Sequence, residues 1–273
     1  MSEIESIGNI FSGILRGHKP SKQMTPEEKT KMNVDWYNKT EGELNVLDGY
    51  NCQRCKNKGF IATIDSDGYE VLKVCQCKRI RETLSRAKRS GLGDIITDFT
   101  FDKFIATEDW QKDIKSLAKE FCGDNESKWF YIGGQIGCGK SHLCTAIAAY
   151  YIKAGFEVKY MLWAEESKRL KSVVNDISYS KEIEIYKNAD VLYIDDFLKV
   201  RNGESPTTAD MNLAFEIVNH RLLCKDKVTI ISSEKKLDEL MKYDEATMSR
   251  IYQKAGKYKI SIEKDPKKNY RLK

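Results

Sequence analysis

From residue 128 onward the chain alternates short apolar runs with amphipathic stretches of helical period. "KWFYIGG" (128–134), "FEVKYMLW" (156–163), "ADVLYIDDF" (189–197), "KVTIISSE" (227–234) and "KYKISIE" (257–263) predict strands. "GKSHLCTAIAAYYIKAG", "AEESKRLKSVVND", "ADMNLAFEIVNHRLLCK", "KKLDELMKY" and "EATMSRIYQKAG" predict the helices around them. Val191–Ile194 is apolar without a break, as in a parallel strand covered on both faces. Alternation of this kind predicts an α/β domain with a central parallel sheet.

Upstream the pattern differs. Ile4, Ile7, Ile10, Phe11, Ile14 and Leu15 recur at helical spacing until Gly17 and Pro20. So short a helix is unstable alone; it either packs on its own domain or docks into a partner's groove. Residues 21–48 read as a polar helical connection, with Thr25 as cap, Pro26 at the first position and Glu28 closing a capping box. "IRETLSRAKRS" (80–90) reads as a basic helix ending at Gly91, and residues 108–121 as an amphipathic helix. Three regions follow: a helical segment (1–48), a cysteine module with its basic helix (49–90), and an α/β domain (91–273).

Composition adds limits. Of 273 residues 41% are hydrophobic and 32% charged, enough for an ordinary core under a charged surface. No run of eighteen apolar residues predicts a membrane span, and the acidic N-terminus is a poor secretion signal. With eight cysteines and no such signal, a cytoplasmic location without disulfides is expected. The net charge of +5 is mild. Lys73, Lys78, Arg79, Arg81, Arg86, Lys88 and Arg89 nevertheless cluster against Glu82 alone. They form either a solvated helix face or a contact for nucleic acid or an acidic protein.

"GGQIGCGKSH" carries the chemistry. Gly134, Gly137 and Gly139 let the backbone curl so that successive N–H groups face an anion, and the next helix adds its positive N-terminal end. Cys138 and His142 belong to the same stretch. Lys140 is expected to reach the β- and γ-phosphates of ATP and the Ser141 hydroxyl to bind Mg²⁺. Asp195, ending an apolar strand, is the second Mg²⁺ ligand. Asp196 is expected to orient or deprotonate the attacking water, or else to be a supporting carboxylate. Ser232 or Ser233 ends a neighbouring strand within reach of a γ-phosphate; Ser233 is taken as the catalytic one.

Cys52-x2-Cys55 and Cys75-x-Cys77 supply four thiolates in two close pairs, which suits tetrahedral Zn²⁺ in a closed structural site. The residues between them read as two short strands with a turn at Asp67-Gly68. A redox pair and an iron–sulfur cluster are the weaker alternatives. A metal would hold together a segment too small to bury its own core.

A cysteine module, a basic helix and then "GGQIGCGKSHL", "VLYIDDF", "TIISSEKKLDEL" and "SRIYQKAG" resemble the helicase loaders of the DnaC/DnaI type, in their phage or Gram-positive version. These are AAA+ ATPases related to the IstB transposition ATPase. The resemblance covers roughly residues 50 to 265 and implies an AAA+ strand order and self-association through the ATPase domain. Its implied partners are a hexameric replicative helicase, gripped by the N-terminal region, and single-stranded DNA. Arg250, by spacing alone a surface arginine, matches the family's arginine finger. The sensor position often held by Asn is Glu234 here. Twenty-three residues follow Arg250, too few for a full C-terminal lid. Lys168, Arg169 and Lys171 fall in the segment that can face single-stranded DNA in such loaders, or form a solvated helix. An IstB-like or DnaA-like DNA-remodelling ATPase, or an ATP-binding adaptor with little hydrolysis, are the alternatives.

Overall fold

The computed structural model describes residues 24–93, 95–200 and 204–272. The apolar stretch Ile4–Leu15 lies outside the described residues. The chain divides into two compact units, with the boundary after Ser85.

The first unit contains helix α1 (Pro26–Lys39), a short helix at Leu44–Asp48, and the antiparallel hairpin of β1 (Phe60–Ile64) and β2 (Glu70–Val74). The capping box at the start of α1 forms as its sequence requires: Glu28 N–H donates to Thr25 Oγ1 at 3.2 Å, and Thr25 N–H to Glu28 Oε2 at 2.9 Å. Asn38 of α1 brackets Ala62 of β1, donating to its carbonyl and accepting from its N–H. Helix and hairpin are therefore one unit, with no break near residue 48. A four-cysteine cluster forms its centre, flanked by Tyr50 and Ile61. Helix α2 runs from Cys77 to Ser90, three residues longer at its start than the basic stretch suggests, and the unit boundary falls within it.

The second unit is built on a five-stranded parallel sheet of β3 (Trp129–Gly134), β4 (Val158–Leu162), β5 (Val191–Asp195), β6 (Val228–Ser233) and β7 (Lys259–Ile262). The order is β4-β5-β6-β3-β7, the AAA+ arrangement that the resemblance implied. Strands β3, β5 and β6 are buried at every position, which explains the apolar runs Trp129–Ile132 and Val191–Ile194. Two cores result, one on each face. Phe121, Phe130, Ile147 and Tyr258 belong to the first, and Trp163, Leu192, Ile217 and Met248 to the second.

The longer helices are α3 (Asp109–Gly123), α4 (Lys140–Ala154), α5 (Trp163–Ser172), α6 (Tyr179–Asn188), α7 (Thr208–Leu223) and α8 (Glu245–Ala255). Helix α5 stops at Ser172, four residues before the sequence pattern ends. Helix α6 was not legible as a helix, because its apolar positions are sparse: only Ile183 and Tyr186 are buried. Arg221 of α7 fastens it. This fully buried guanidinium donates to the carbonyls of Tyr186, Lys187, Ala189 and Val228 and to Thr229 Oγ1. It thus takes the orphan carbonyls at the end of α6 and joins them to β6. Burial lowers its pKa to about 10.

Candidate nucleotide site and cysteine centre

The phosphate loop lies between β3 and α4. Its glycines are required for different reasons. Gly134, at φ +110°, leaves no room for a Cβ, which would collide with the Ile262 carbonyl of β7. A Cβ on Gly137 would collide with the Asn269 side chain, and one on Gly139 with the Phe104 ring. Gln135 N–H donates to Ile262 O at 3.0 Å, Tyr270 N–H to Gly137 O at 2.9 Å, and Asp265 N–H to Gln135 Oε1 at 2.8 Å. Residues 262–270 therefore brace the loop from outside, a contact no motif announced. Cys138 is buried and donates its thiol to Gln135 O. Lys140 Nζ donates to the carbonyls of Gly134 (2.9 Å) and Gln135 (2.6 Å).

Ser141 and Asp195 meet across the top of the sheet: Ser141 Oγ donates to Asp195 Oδ1 at 2.9 Å. Two cis ligands of an octahedral Mg²⁺ at roughly 2.05 Å stand about 2.9 Å apart, so this pair fits the ion. Tyr160 OH donates to Asp195 Oδ2 at 3.2 Å; burial first, and then the Asp195 charge, raises the tyrosine's pKa. Of the two serines ending β6, Ser232 reaches Asp195, its Oγ donating to Oδ1. Ser233, taken from the sequence as the catalytic one, donates instead to Phe197 O at 2.9 Å and is buried. The physical reason is the two-residue period of a strand, which turns neighbours to opposite faces.

Asp196 occupies the left-handed region, φ +54°. Its N–H donates to Asp195 Oδ1 and Ser232 Oγ, both at 3.2 Å. Its carboxylate pairs with Lys199 Nζ at 2.8 Å, and the same ammonium pairs with Glu234 at 2.9 Å. His142 is engaged by the segment before α3. Its ring stacks on Phe99 at 4.9 Å, and its Nε2 bonds Thr100 O at 2.7 Å; burial lowers its pKa. Arg250 sits on α8, its Nη1 donating to Asn219 Oδ1 at 2.9 Å. Among the described residues no contact ties it to Lys140, Ser141 or Asp195.

The model of the bacterial DnaA ATPase domain matches residues 95–256. The chain belongs to the bacterial DnaA ATPase-domain family. The phage-like element PBSX protein XkdC of Bacillus subtilis is 31% identical over 225 residues, covering 78% of this chain and 82% of that one. The DnaC helicase loader shares the fold, with TM-score 0.53 and 21% identity over 63% of this chain and 99% of that one. AMPPCP-bound DnaA from Aquifex aeolicus matches with TM-score 0.50 and 21% identity over 61% of this chain and 50% of that one. Against that DnaA this chain thus spans half the length.

The cysteine centre lies in the other unit. The Sγ atoms of Cys52, Cys55, Cys75 and Cys77 lie within 4.8 Å of one another. Cys52 and Cys75 are 3.9 Å apart, and Cys55 and Cys77 3.4 Å. Tetrahedral Zn²⁺ with Zn–S of about 2.3 Å needs sulfurs about 3.8 Å apart, so the site fits the ion. The knuckle is shaped by Lys56 and Asn57 at positive φ. Asn57 Oδ1 accepts from Cys52 N–H, and Gly59 N–H donates to Cys55 Sγ. Burial raises the Cys55 thiol, but the Gly59 N–H and the neighbouring cysteines outweigh it and bring it to about 7. Burial, and then Cys55, push Cys77 up to about 12. Four sulfurs this close resist more than one negative charge until a dication joins them. Arg81 of α2, buried, pairs with Asp48 and donates to Asn57 Oδ1 at 3.1 Å.

The basic stretches are less free than their sequence suggests. Arg169 pairs with Glu166 and Glu182, and Lys171 with Asp210. Arg89 pairs with Glu157, and Arg86 donates to Ile152 O. Among the described residues no helix is long and apolar enough to cross a membrane.

Proposed function

We propose that this chain is an ATP-dependent loader that binds a hexameric replicative helicase and delivers it to single-stranded DNA. The observation that carries the reading is the Ser141–Asp195 pair on a sheet that shares its fold with nearly the whole DnaC helicase loader. Lys140 would neutralise the β- and γ-phosphates, and Ser141 and Asp195 would hold Mg²⁺. Asp196 would orient or deprotonate water, and Ser232 would steady Asp195. The cysteine unit, closed by zinc, would serve docking, together with residues 1–48. Gel filtration of the chain with its cognate helicase, in ATP and in ADP, tests this. A stable complex in at least one nucleotide state is expected; separate elution in both would sink the reading.

Self-association through the ATPase domain, with Arg250 entering a neighbour's site, belongs to the same proposal. The exposed position of Arg250, away from its own Ser141 and Asp195, favours action in trans. Mixing Lys140→Ala with Arg250→Ala would restore part of the ATPase activity if the finger acts across subunits. The match to the DnaA family favours a second reading, ATP-driven assembly on DNA without a helicase. Tighter binding to duplex than to single strands would support it.

A further inference from the structure

Lys199 is a feature of the site that no motif requires. Its ammonium joins Asp196, at 2.8 Å, to Glu234, at 2.9 Å. All three side chains are only partly exposed. The backbone around them is pinned independently. Asp196 and Leu198 both hold φ +54°. Phe197 N–H donates to Ser232 O at 2.8 Å, and Lys199 N–H to Asp196 O at 3.0 Å. The lysine therefore does not build this turn; it balances the charge on it.

A cavity of about 440 Å³ opens against Glu234 of this triad, lined also by Gly134 and Gln135 of the phosphate loop, by Val200 next to the lysine, and by the acids Glu204 and Asp265. With Lys199 present, the two carboxylates and the ammonium carry one net negative charge. Without it they carry two, and Glu234 shares the cavity with Gly134 and Gln135 of the phosphate loop. Two lysines, Lys235 and Lys264, line the cavity, but they are engaged elsewhere. Lys235 donates to Tyr243 OH at 3.0 Å and lies over that ring, and Lys264 faces Glu239 at 3.6 Å. Among the described residues only Lys199 bridges Asp196 and Glu234.

We propose that Lys199 is a γ-phosphate-sensing residue: paired with Asp196 and Glu234, it offsets their charge and is drawn to the terminal phosphate of ATP. This rests on the reading of the loop as an ATP site. ADP lacks the group that meets the triad, so the lysine separates ATP from ADP rather than strengthening both. Transfer of the ammonium to phosphate also frees the Asp196 carboxylate for water. Charge-assisted hydrogen bonds of this kind set the scale of the effect.

The test is titration of the full chain with a non-hydrolysable ATP analogue and with ADP, each with Mg²⁺. Lys199→Ala should weaken the analogue by about tenfold or more and change ADP by less than about twofold. Lys199→Arg, which keeps the charge, should stay near wild type. Glu234→Gln, which removes one carboxylate and leaves the lysine in place, should tighten the analogue and keeps the question answerable should Lys199→Ala fold poorly. Equal loss for both nucleotides in Lys199→Ala, or no loss for either, overturns the proposal. So does the same selective loss in Lys235→Ala but not in Lys199→Ala. A wild-type protein that binds neither nucleotide sinks the ATP reading itself, and this proposal with it.

Discussion

The Ser141 hydroxyl stands 2.9 Å from the Asp195 carboxylate, although 54 residues separate them in the chain. Strand β5 brings Asp195 to the C-terminal edge of the sheet, where α4 begins, so one parallel sheet delivers both groups to a single point. The pair is the expected Mg²⁺ seat. Asp195→Ala should abolish Mg²⁺-dependent ATP hydrolysis, with a fall of at least about a hundredfold, while the fold persists. Steady-state ATPase assays beside circular dichroism check this; retained activity would move the metal seat elsewhere.

The cysteine centre makes a separate prediction. Purified chain should contain about one zinc per molecule, because four sulfurs at these separations close a tetrahedral shell. Cys55→Ser or strong chelation should release the metal and unfold α1 and the hairpin. Proteolysis would then cut within residues 24–85 and spare the sheet unit. Elemental analysis showing no zinc, or a protease-resistant hairpin after chelation, would contradict this.

Arg221 tests the link between α6, α7 and β6. Arg221→Met keeps the apolar stem but leaves four carbonyls and Thr229 without their donor. Each buried unpaired group is costly, so a loss of about 3 kcal/mol or more is expected. Urea unfolding of the two proteins measures it. An unchanged midpoint would mean that the carbonyls find other partners.

Asp124 supplies a pH dependence. The N–H groups of Ser127 and Glu126, and then the Tyr258 hydroxyl, hold its carboxyl well below the usual carboxylate range. A depressed folded-state pKa stabilises above the unfolded value, near 4. That contribution is lost as pH falls from there toward the folded-state value. Asp124→Asn should therefore lower stability at neutral pH and flatten its decline below pH of about 4. Thermal unfolding across pH, with parallel curves for both proteins, would refute this.

Much of the site was readable without coordinates because its chemistry is local. Gly134 to Ser141 form one continuous turn, whose glycines and lysine are set by the demands of an anion. Cys52, Cys55, Cys75 and Cys77 announce themselves by spacing. Strands β3 and β5 were equally plain, since burial at every position leaves their runs apolar until the last residues. Asp195 closes one of those runs with a carboxylate, so its place was visible too.

What the chain alone left open depends on contacts between distant segments. The choice of Ser232 over Ser233 rests on which face of β6 turns toward Asp195. Helix α6 was obscure because a guanidinium from another helix, rather than an apolar stripe of its own, anchors its end. The bracing of the phosphate loop by Asn269 and Tyr270, and the bridge of Lys199 between Asp196 and Glu234, have no signature in any short window. Periodicity and motif report what a segment needs from its immediate neighbours. Charge balance and close approach depend on where the sheet sets groups far apart in sequence, and only the folded chain decides that.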